Sequence, residues 1–292
     1  MRSFLRPIAR CKATWISMRE FFRGVFMQRP ALLVIVRHAE SSRNLVKKDN
    51  VYMPDDESAS LVVGVPDHKI PITEVGHRQA RETGAALREQ FGVFDVVYDS
   101  GYLRSKETLD EILKAYSEEE SRHMRRRTSH LLRERDSGYT YDMTTDEVDQ
   151  YFPYFRAYWK QFGYFYARPP GGESQSDVCE RVYRFVGILF KQRPGKRVLI
   201  VTHGGTSRAL RFNLEKWTAD DYEKDSDSGK RHALPNCGLI VYRYDESTGR
   251  LELEECGNTY WKEKDKEEAD ERISRNIVAF EAQIKGKGRG GF

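Results

Sequence analysis

Two arginines and two histidines stand at or just after the ends of short apolar runs in this 292-residue sequence: Arg37 and His38, Arg104, and His203. Charged or titratable residues at such junctions are more often functional than incidental, because binding and catalytic groups favour the ends of buried elements. The guanidinium fork of arginine can bind two oxygens of one phosphate group at once. Gathered into one pocket, these four side chains would suit a phosphate dianion.

Two further polar residues belong to the same set of candidates. Asn44 follows His38 by six residues, and Glu134 lies in the charged segment TSHLLRERDSG. Each candidate also has a purely structural interpretation. A lone histidine is more often a hydrogen-bonded structural residue, Arg104 could be an exposed residue of a first helical turn, and Glu134 could pair with Arg133 or Arg135. The combination, rather than any one residue, indicates a site.

The elements that must position these side chains follow from the hydrophobic pattern. Short apolar runs alternate with amphipathic stretches, which predicts βαβ units around a mostly parallel sheet. We expect buried strands over 31–36, 94–100 and 197–201, a weaker strand over 128–138, and a late antiparallel hairpin over 238–256. Ligand sites of open α/β sheets lie at the carboxyl ends of the strands, so the candidates should converge there.

Two helices have clear start and stop signals. Thr73 can cap a helix that Gly92 ends, and either Ser174 or Ser176 can cap another that ends before Pro194. The three consecutive arginines at 125–127 are expected to be a solvated helix end.

Composition excludes several classes of protein. The chain is 39% apolar and 32% charged, its mean hydropathy is −0.71, and no run approaches a membrane-spanning length. Residues 1–30 carry seven basic side chains and one acidic, whereas the remainder carries 42 basic and 44 acidic. A nearly neutral body gives no reason to expect nucleic-acid binding. The four cysteines are far apart and form no CxxC pair, which favours a reducing intracellular compartment.

The two ends of the chain differ from the body. Residues 1–30 are rich in arginine and aromatic residues, which is typical of a mitochondrial targeting peptide; an amphipathic helix that packs on the domain is the alternative. Residues 261–292 should form a charged helix with a disordered tail from Gly286. One apolar stripe of that helix could dock on the domain: Ile273, Ile277, Phe280 and Ile284. Localisation is therefore expected to be mitochondrial or cytoplasmic.

An aromatic segment should cover the site. Residues 139–166 contain twelve aromatic side chains, which predicts a small helical lid over about 139–170. Most of these rings should pack the core of the lid itself. Its few basic residues are Arg156, Lys160 and Arg168.

Taken together, these residues resemble the histidine phosphatase superfamily, whose members include phosphoglycerate mutases and many phosphatases. The resemblance runs over about residues 31–260, with the family's motifs in order. The matching motifs are Arg37-His38-Ala39-Glu40-Ser41-x-x-Asn44, Ser100-x-x-Leu103-Arg104-x-x-x-Thr108, Leu132-x-Glu134-x-x-x-Gly138 and Thr202-His203-Gly204. One departure is Ala39, which stands where the family signature has glycine. Alanine would be strained there if the backbone needed a positive φ.

The resemblance implies a fold and a site. The fold would be a three-layer α/β sandwich, with helices on both faces of a mostly parallel sheet and the lid above it. His38 would be the nucleophile, forming a phosphohistidine, and Glu134 the general acid and base. The phosphoryl oxygens would be held by the remaining candidates: Arg37, Arg104, a protonated His203, Gly204 and the amide of Asn44. The other histidines should be surface or loop residues: His68, His77, His123, His130 and His232.

The implied activity is hydrolysis of a small phosphorylated metabolite, with neither metal nor resident cofactor. Stretches 66–73 and 169–174 look closest to the fungal and plant broad-range acid phosphatases. Two alternatives stay open. A phosphoglycerate-type mutase would use 2,3-bisphosphoglycerate, but the lid lacks the adjacent arginine pair of mutases; a noncatalytic phosphate-binding scaffold would keep the fold alone. The protein could also form a homo-oligomer.

Overall fold

The structure is a computed structural model that describes residues 29–45, 47–48, 51–52, 64–227 and 234–261. The expected targeting arm, apart from its last two residues, and the expected C-terminal helix lie outside the described residues. The mitochondrial address and the docking stripe therefore stay predictions. None of the described helices is long and apolar enough to cross a membrane.

A six-stranded sheet forms the middle layer, in the order β5-β4-β6-β1-β7-β8. Strands β5, β4, β6 and β1 are parallel, whereas β7 and β8 form an antiparallel hairpin beside β1. The mostly parallel sheet and the late hairpin are thus confirmed. In chain order the strands are β1 (Leu32–Arg37), the short ribbon β2 (Lys47–Lys48) and β3 (Val51–Tyr52), β4 (Val96–Asp99), β5 (Arg125–Thr128), β6 (Arg197–Thr202), β7 (Leu239–Asp245) and β8 (Arg250–Cys256).

Helices cover both faces of the sheet. Alternate residues of β1 point to opposite faces: Leu33 and Ile35 pack into one hydrophobic cluster, and Leu32, Val34 and Val36 into the other. The helices Gln175–Gln192 and Gly204–Leu214 complete the first cluster, and Glu74–Phe91 and Leu103–Leu113 complete the second. This arrangement is the expected three-layer sandwich. The other helices of the described residues are Ser42–Leu45, Glu118–His123, Thr145–Tyr151, Phe155–Tyr166 and Ala219–Asp227.

The helix boundaries follow the capping signals of the sequence. The Thr73 hydroxyl accepts a hydrogen bond from the Gly76 amide, and Gly92 ends that helix with a φ of 61°. Ser174, not Ser176, caps the Gln175–Gln192 helix; its hydroxyl accepts from the Asp177 amide while the Asp177 carboxylate accepts from the Ser174 amide.

The expected strand over 128–138 is wrong in position, and so is the helix end expected at 125–127. The strand is Arg125–Thr128, which pairs with β4 in parallel. The chain then turns through a single 3-10 turn at His130–Leu132. Arg126 bonds the carboxylates of Asp99 and Asp110, and an exposed edge strand tolerates such charged side chains.

The lid consists of two helices, Thr145–Tyr151 and Phe155–Tyr166. Phe165 is its buried anchor, with ring centroids 5.3 Å from Phe212 and 5.1 Å from Tyr222. Other rings of the lid face solvent: Tyr139, Tyr151, Tyr154, Phe162 and Tyr166. The lid is therefore held to the domain by aromatic contacts of Phe165 and by hydrogen bonds, among them the one that the Phe165 amide donates to the Glu223 carboxylate.

Candidate active site

Backbone hydrogen bonds hold His38 in place at the end of β1. The His38 amide donates to the carbonyl of Thr202 at 2.7 Å, and the Ala39 amide donates to the Thr108 hydroxyl at 3.0 Å. The ring is 4% exposed, and its Nδ1 lies 2.7 Å from the carbonyl oxygen of Ala39. Because a carbonyl oxygen only accepts, Nδ1 must carry the proton. The lone pair is therefore on Nε2.

Burial, followed by the charges of Arg104 and Arg37, lowers the pKa of His38 well below its usual value. The ring is thus unprotonated at neutral pH. An unprotonated Nε2 with a fixed tautomer is the form that can attack phosphorus.

His203 lies beside His38, at the end of β6. The two ring centroids are 5.1 Å apart and the planes are inclined at 59°. The His203 ring is fully buried, and its Nε2 lies 2.7 Å from the Ser100 hydroxyl. Burial and the nearby Arg104 lower the pKa of His203 as well. Without a bound anion His203 is therefore neutral, because a further positive charge beside two arginines is unfavourable in a buried site. Its expected protonation with phosphate bound stays a prediction.

The two arginines are anchored differently. Arg37 donates from Nη1 to the carbonyl of Leu234 at 2.6 Å, and its buried Nε has no hydrogen-bond partner among the described residues. Arg104 is 3% exposed and is held by Asp67, with Nη1 2.8 Å from Oδ1 and Nη2 3.3 Å from Oδ2. Arg104 also donates to the Asp67 carbonyl and stacks on the Tyr102 ring at 4.9 Å. Arg104, which is predicted to bind the phosphate group, is thus already paired with a carboxylate.

Asn44 is oriented by its neighbours. Its Oδ1 accepts from the amide and the hydroxyl of Ser41, at 3.0 and 2.9 Å, and from the Asn236 side chain at 3.3 Å. Since the carbonyl end is occupied, the amide nitrogen is the end left to donate to a ligand.

Glu134 and the glycines close the other side of the site. The Glu134 carboxylate accepts from the amides of Arg135, at 2.8 Å, and Gly205, at 3.4 Å. Gly204 begins the helix that follows His203, and a Cβ there would lie 3.7 Å from Nε of Arg37. Gly205, rather than the predicted Gly204, lines the cavity.

A cavity of about 220 Å³ gathers most of the candidates: Arg37, His38, Asn44, Arg104 and Glu134. His203 lies behind it, against the ring of His38. Three charged residues of the lining were not predicted from the sequence: Arg43, Asp67 and Arg135. Arg43 and Arg135 stand inside or beside quoted motifs and could have been found there. In the described part of the chain, no three His, Cys, Asp or Glu side chains cluster closely enough to hold a metal ion.

Comparison with known proteins identifies the family. The family model for the histidine phosphatase superfamily, branch 1, matches residues 33–259. The chain belongs to this superfamily. A phosphoglycerate mutase-like protein of Arabidopsis thaliana is 30% identical over 222 residues, which cover 68% of this chain and 71% of that protein. The broad-range acid phosphatase of Saccharomyces cerevisiae is 26% identical, over 77% of this chain and 89% of that protein. Plant and fungal relatives of this kind agree with the resemblance seen in the motifs.

Other relatives and structures share the fold. A 2,3-bisphosphoglycerate-dependent phosphoglycerate mutase of Bradyrhizobium diazoefficiens is 35% identical, over 63% of this chain and 81% of that enzyme. The alpha-ribazole phosphatase structure from Shigella flexneri superposes with a TM-score of 0.60 at 19% identity, covering 80% of this chain and all of that one. A mycobacterial glucosyl-3-phosphoglycerate phosphatase gives 0.56 at 21% identity, over 79% and 98%.

Within the histidine phosphatase signature, alanine at position 39 causes no backbone strain. Apart from glycines, positive φ values in the described residues occur only at Lys216 and Cys237. Ala39 is fully buried and packs with Val36. The methyl group therefore adds to the core and leaves the conformation of the His38 loop intact.

The remaining histidines of the described residues lie outside the catalytic cavity. His77 bonds the carboxylate of Glu111 at 2.8 Å, and His123 bonds the Glu119 carbonyl. His68 and His130 are both exposed, each in a short 3-10 turn. His232 lies outside the described residues.

Proposed function

We propose that this protein is a phosphomonoester hydrolase that works through a phosphohistidine on His38. The observation that carries the proposal is the fixed tautomer of the His38 ring beside two arginines. Its Nδ1 is fixed on the Ala39 carbonyl, its Nε2 carries the lone pair, and Arg37 and Arg104 line the same cavity. A neutral nucleophile surrounded by cationic donors is suited to attack a phosphate ester.

The first step transfers the phosphoryl group to the protein. Nε2 of His38 attacks phosphorus in line, forming the N–P bond as the P–O bond to the leaving group breaks. Arg37, Arg104 and His203 bind the non-bridging oxygens as charge redistributes, and the amide of Asn44 donates to them. Glu134, in its protonated form, gives its proton to the departing alkoxide.

The second step returns the protein to its resting state. Water attacks the phosphohistidine, and the Glu134 carboxylate takes one of its protons. Breaking the N–P bond releases phosphate and restores the lone pair on His38.

The basic residues of the lid support hydrolysis over transfer to a second phosphorylated ligand. Arg156 is bonded to Asp149, and Arg168 to Asp177. Neither these arginines nor Lys160 lines the catalytic cavity. A mutase must bind a second anionic group of its substrate while the phosphoryl group moves, which requires additional cations over the site.

A phosphoglycerate-type mutase is the second candidate, because Arg43 and Arg135 line the cavity and could bind a second anionic group. Incubation with 3-phosphoglycerate, with and without 2,3-bisphosphoglycerate, separates the two functions. Release of inorganic phosphate supports the hydrolase. Rapid formation of 2-phosphoglycerate without phosphate release would replace it with the mutase.

The central experiment is a panel of phosphorylated metabolites assayed with the wild type and with His38→Ala. We expect His38→Ala to lose at least about 10³-fold in kcat, as when a nucleophile is removed. We also expect wild-type protein quenched during turnover to carry a phosphoryl label that is labile to acid. Equal turnover by both proteins would remove His38 from the mechanism. A wild type that binds phosphate but turns over no ester would favour the scaffold.

The role of Glu134 is tested by varying the leaving group. We expect Glu134→Gln to lower kcat/KM for a simple alkyl phosphate by about 10²–10⁴-fold, and that for 4-nitrophenyl phosphate far less, because nitrophenolate leaves without a proton. Glu119→Gln, on an exposed helix, is the matched control. An equal loss for both esters would show that Glu134 does not protonate the leaving group.

A further inference from the structure

The two ring nitrogens of His203 have different surroundings. Nε2 lies 2.7 Å from the hydroxyl oxygen of Ser100. Nδ1 is buried and has no hydrogen-bond partner among the described residues. The strand order places His203, at the end of β6, between Ser100, at the end of β4, and His38, at the end of β1. A buried nitrogen without a partner, beside the proposed nucleophile, needs a partner that the substrate can supply.

The contacts of Ser100 decide which of the two atoms donates. The amide of Tyr102 donates to the Ser100 hydroxyl oxygen at 3.3 Å, so this oxygen already acts as an acceptor. The backbone of Ser100 is fixed in turn, because its amide donates to the Ser105 hydroxyl, which donates to the Val201 carbonyl. Among the described residues, Nε2 of His203 is the only acceptor within reach of the Ser100 hydroxyl proton, so the hydroxyl donates to Nε2.

We propose that Ser100 is a positioning residue that holds neutral His203 as the Nδ1–H tautomer, ready to donate a hydrogen bond to a phosphoryl oxygen. This inference rests on the proposed function, since the acceptor is the transferred phosphoryl group. The proton stays on His203 throughout the reaction. The opposite tautomer would donate from Nε2 to Ser100 and present the Nδ1 lone pair to an anionic oxygen, which is repulsive.

The electrostatics of the resting pocket favour a neutral donor. His203 is fully buried close to Arg37, Arg104 and His38, and each further positive charge there is unfavourable. In a neutral imidazole one nitrogen carries the proton and can donate, and a hydrogen bond accepted by the other nitrogen fixes which of the two carries it. Ser100 supplies that second hydrogen bond, and its loss would leave the tautomer unspecified.

The test begins with the long-range ¹H–¹⁵N spectrum of the histidine rings in the resting protein. We expect Nδ1 of His203 to show the resonance of a protonated nitrogen and Nε2 that of an unprotonated one. Ser100→Ala should shift His203 toward the Nε2–H form, and Ser100→Thr, which keeps the hydroxyl, should not. A wild-type ring with its proton on Nε2 would overturn the inference without any variant.

The functional consequence is measured on the same proteins. Ser100→Ala should weaken inorganic phosphate binding and lower kcat/KM by about 10–100-fold, as for other residues that orient a site ligand, and Ser100→Thr should restore both. Ser207→Ala is the matched control, because its hydroxyl is buried in the next helix and has no hydrogen-bond partner among the described residues. An unchanged spectrum and unchanged phosphate affinity in Ser100→Ala would refute the role.

The spectrum also separates this inference from the proposed function. A protein that shows the Nδ1–H tautomer and binds phosphate, yet hydrolyses no ester, would overturn the hydrolase and leave the role of Ser100 in anion binding intact. A hydrolase with the Nε2–H tautomer would do the reverse.

Discussion

At the residue scale, the carboxylate of Asp67 sets the charge available to a substrate. Asp67 lines the cavity, and both of its carboxylate oxygens and its backbone carbonyl oxygen accept hydrogen bonds from Arg104. An ester must therefore either share Arg104 with this carboxylate or displace it. In both cases the negative charge opposes the binding of a phosphate dianion.

Removing that charge should strengthen anion binding. We expect Asp67→Asn to bind inorganic phosphate about fivefold more tightly at pH 7, since one unit of charge a few ångströms away is worth about 1 kcal/mol in a solvated site. The asparagine oxygen can still accept from Arg104, so the arginine stays in place. Isothermal titration of the resting protein measures the affinity.

Asp142→Asn is the matched control for this change. Asp142 is exposed and does not line the catalytic cavity, so its neutralisation should have little effect. Weaker or unchanged phosphate binding by Asp67→Asn would mean that the carboxylate acts only by holding Arg104 in position.

Single residues also differ in how far the sequence could assign them. Arg37, His38 and His203 were predicted from their places after buried strands, and the structure brings them together. Asp67 could not be predicted, because 37 residues separate it from Arg104 and its pairing depends on how the intervening helix packs. The neutral state of His203 depends on burial, which a motif does not reveal.

At the scale of elements, the acid segment and the lid meet at one backbone crossing. Gly138 has a φ of 58°, and a Cβ there would lie 2.1 Å from the Pro170 carbonyl oxygen and 2.5 Å from the Gly172 amide nitrogen. The Tyr139 amide donates to the Pro170 carbonyl beside this crossing. The segment that carries Glu134 is therefore held directly against the end of the lid.

Widening this crossing should cost both stability and activity. Gly138→Ala adds backbone strain of about 1–2 kcal/mol and forces the two backbones apart, so we expect a lower free energy of unfolding in urea and a lower kcat/KM. Gly187→Ala is the control, since Gly187 lies inside a helix with open space around its Cβ position. That change should stabilise by up to about 1 kcal/mol at unchanged kcat/KM. A tolerated Gly138→Ala would show that the two segments move independently.

The hydrophobic pattern was sufficient to predict the positions of the buried strands but not that of the edge strand β5. The buried strands β1, β4 and β6 were predicted within one or two residues at most of their ends, because they must be apolar on both faces. Strand β5 was placed too late, since its sequence, Arg125–Thr128, has no apolar residue. Only the pairing with β4 makes it a strand, and that pairing is a property of the folded chain.

At the scale of the whole molecule, folding must keep two adjacent histidines uncharged. Burial, supported by the charges of Arg104 and Arg37, lowers the pKa of both His38 and His203 well below 6.5, whereas the unfolded chain titrates them normally. Between the unfolded and the folded pKa the unfolded state binds more protons, so stability falls as the pH decreases below about 6.5. Above that pH both states leave the two histidines neutral, and the histidines do not lower the free energy of unfolding.

This linkage predicts a measurable acid sensitivity of the fold. The free energy of unfolding in urea, compared at pH 7.5 and 5.5, should fall with a slope of up to about 1.4 kcal/mol per pH unit for each of the two histidines. The double variant His38→Gln/His203→Gln should be less sensitive, since neither glutamine takes up a proton. His68→Gln, which replaces an exposed ring, should behave like the wild type. An equally steep loss in the double variant would assign the acid sensitivity to carboxylates elsewhere and would place His38 and His203 in a solvated, chargeable site.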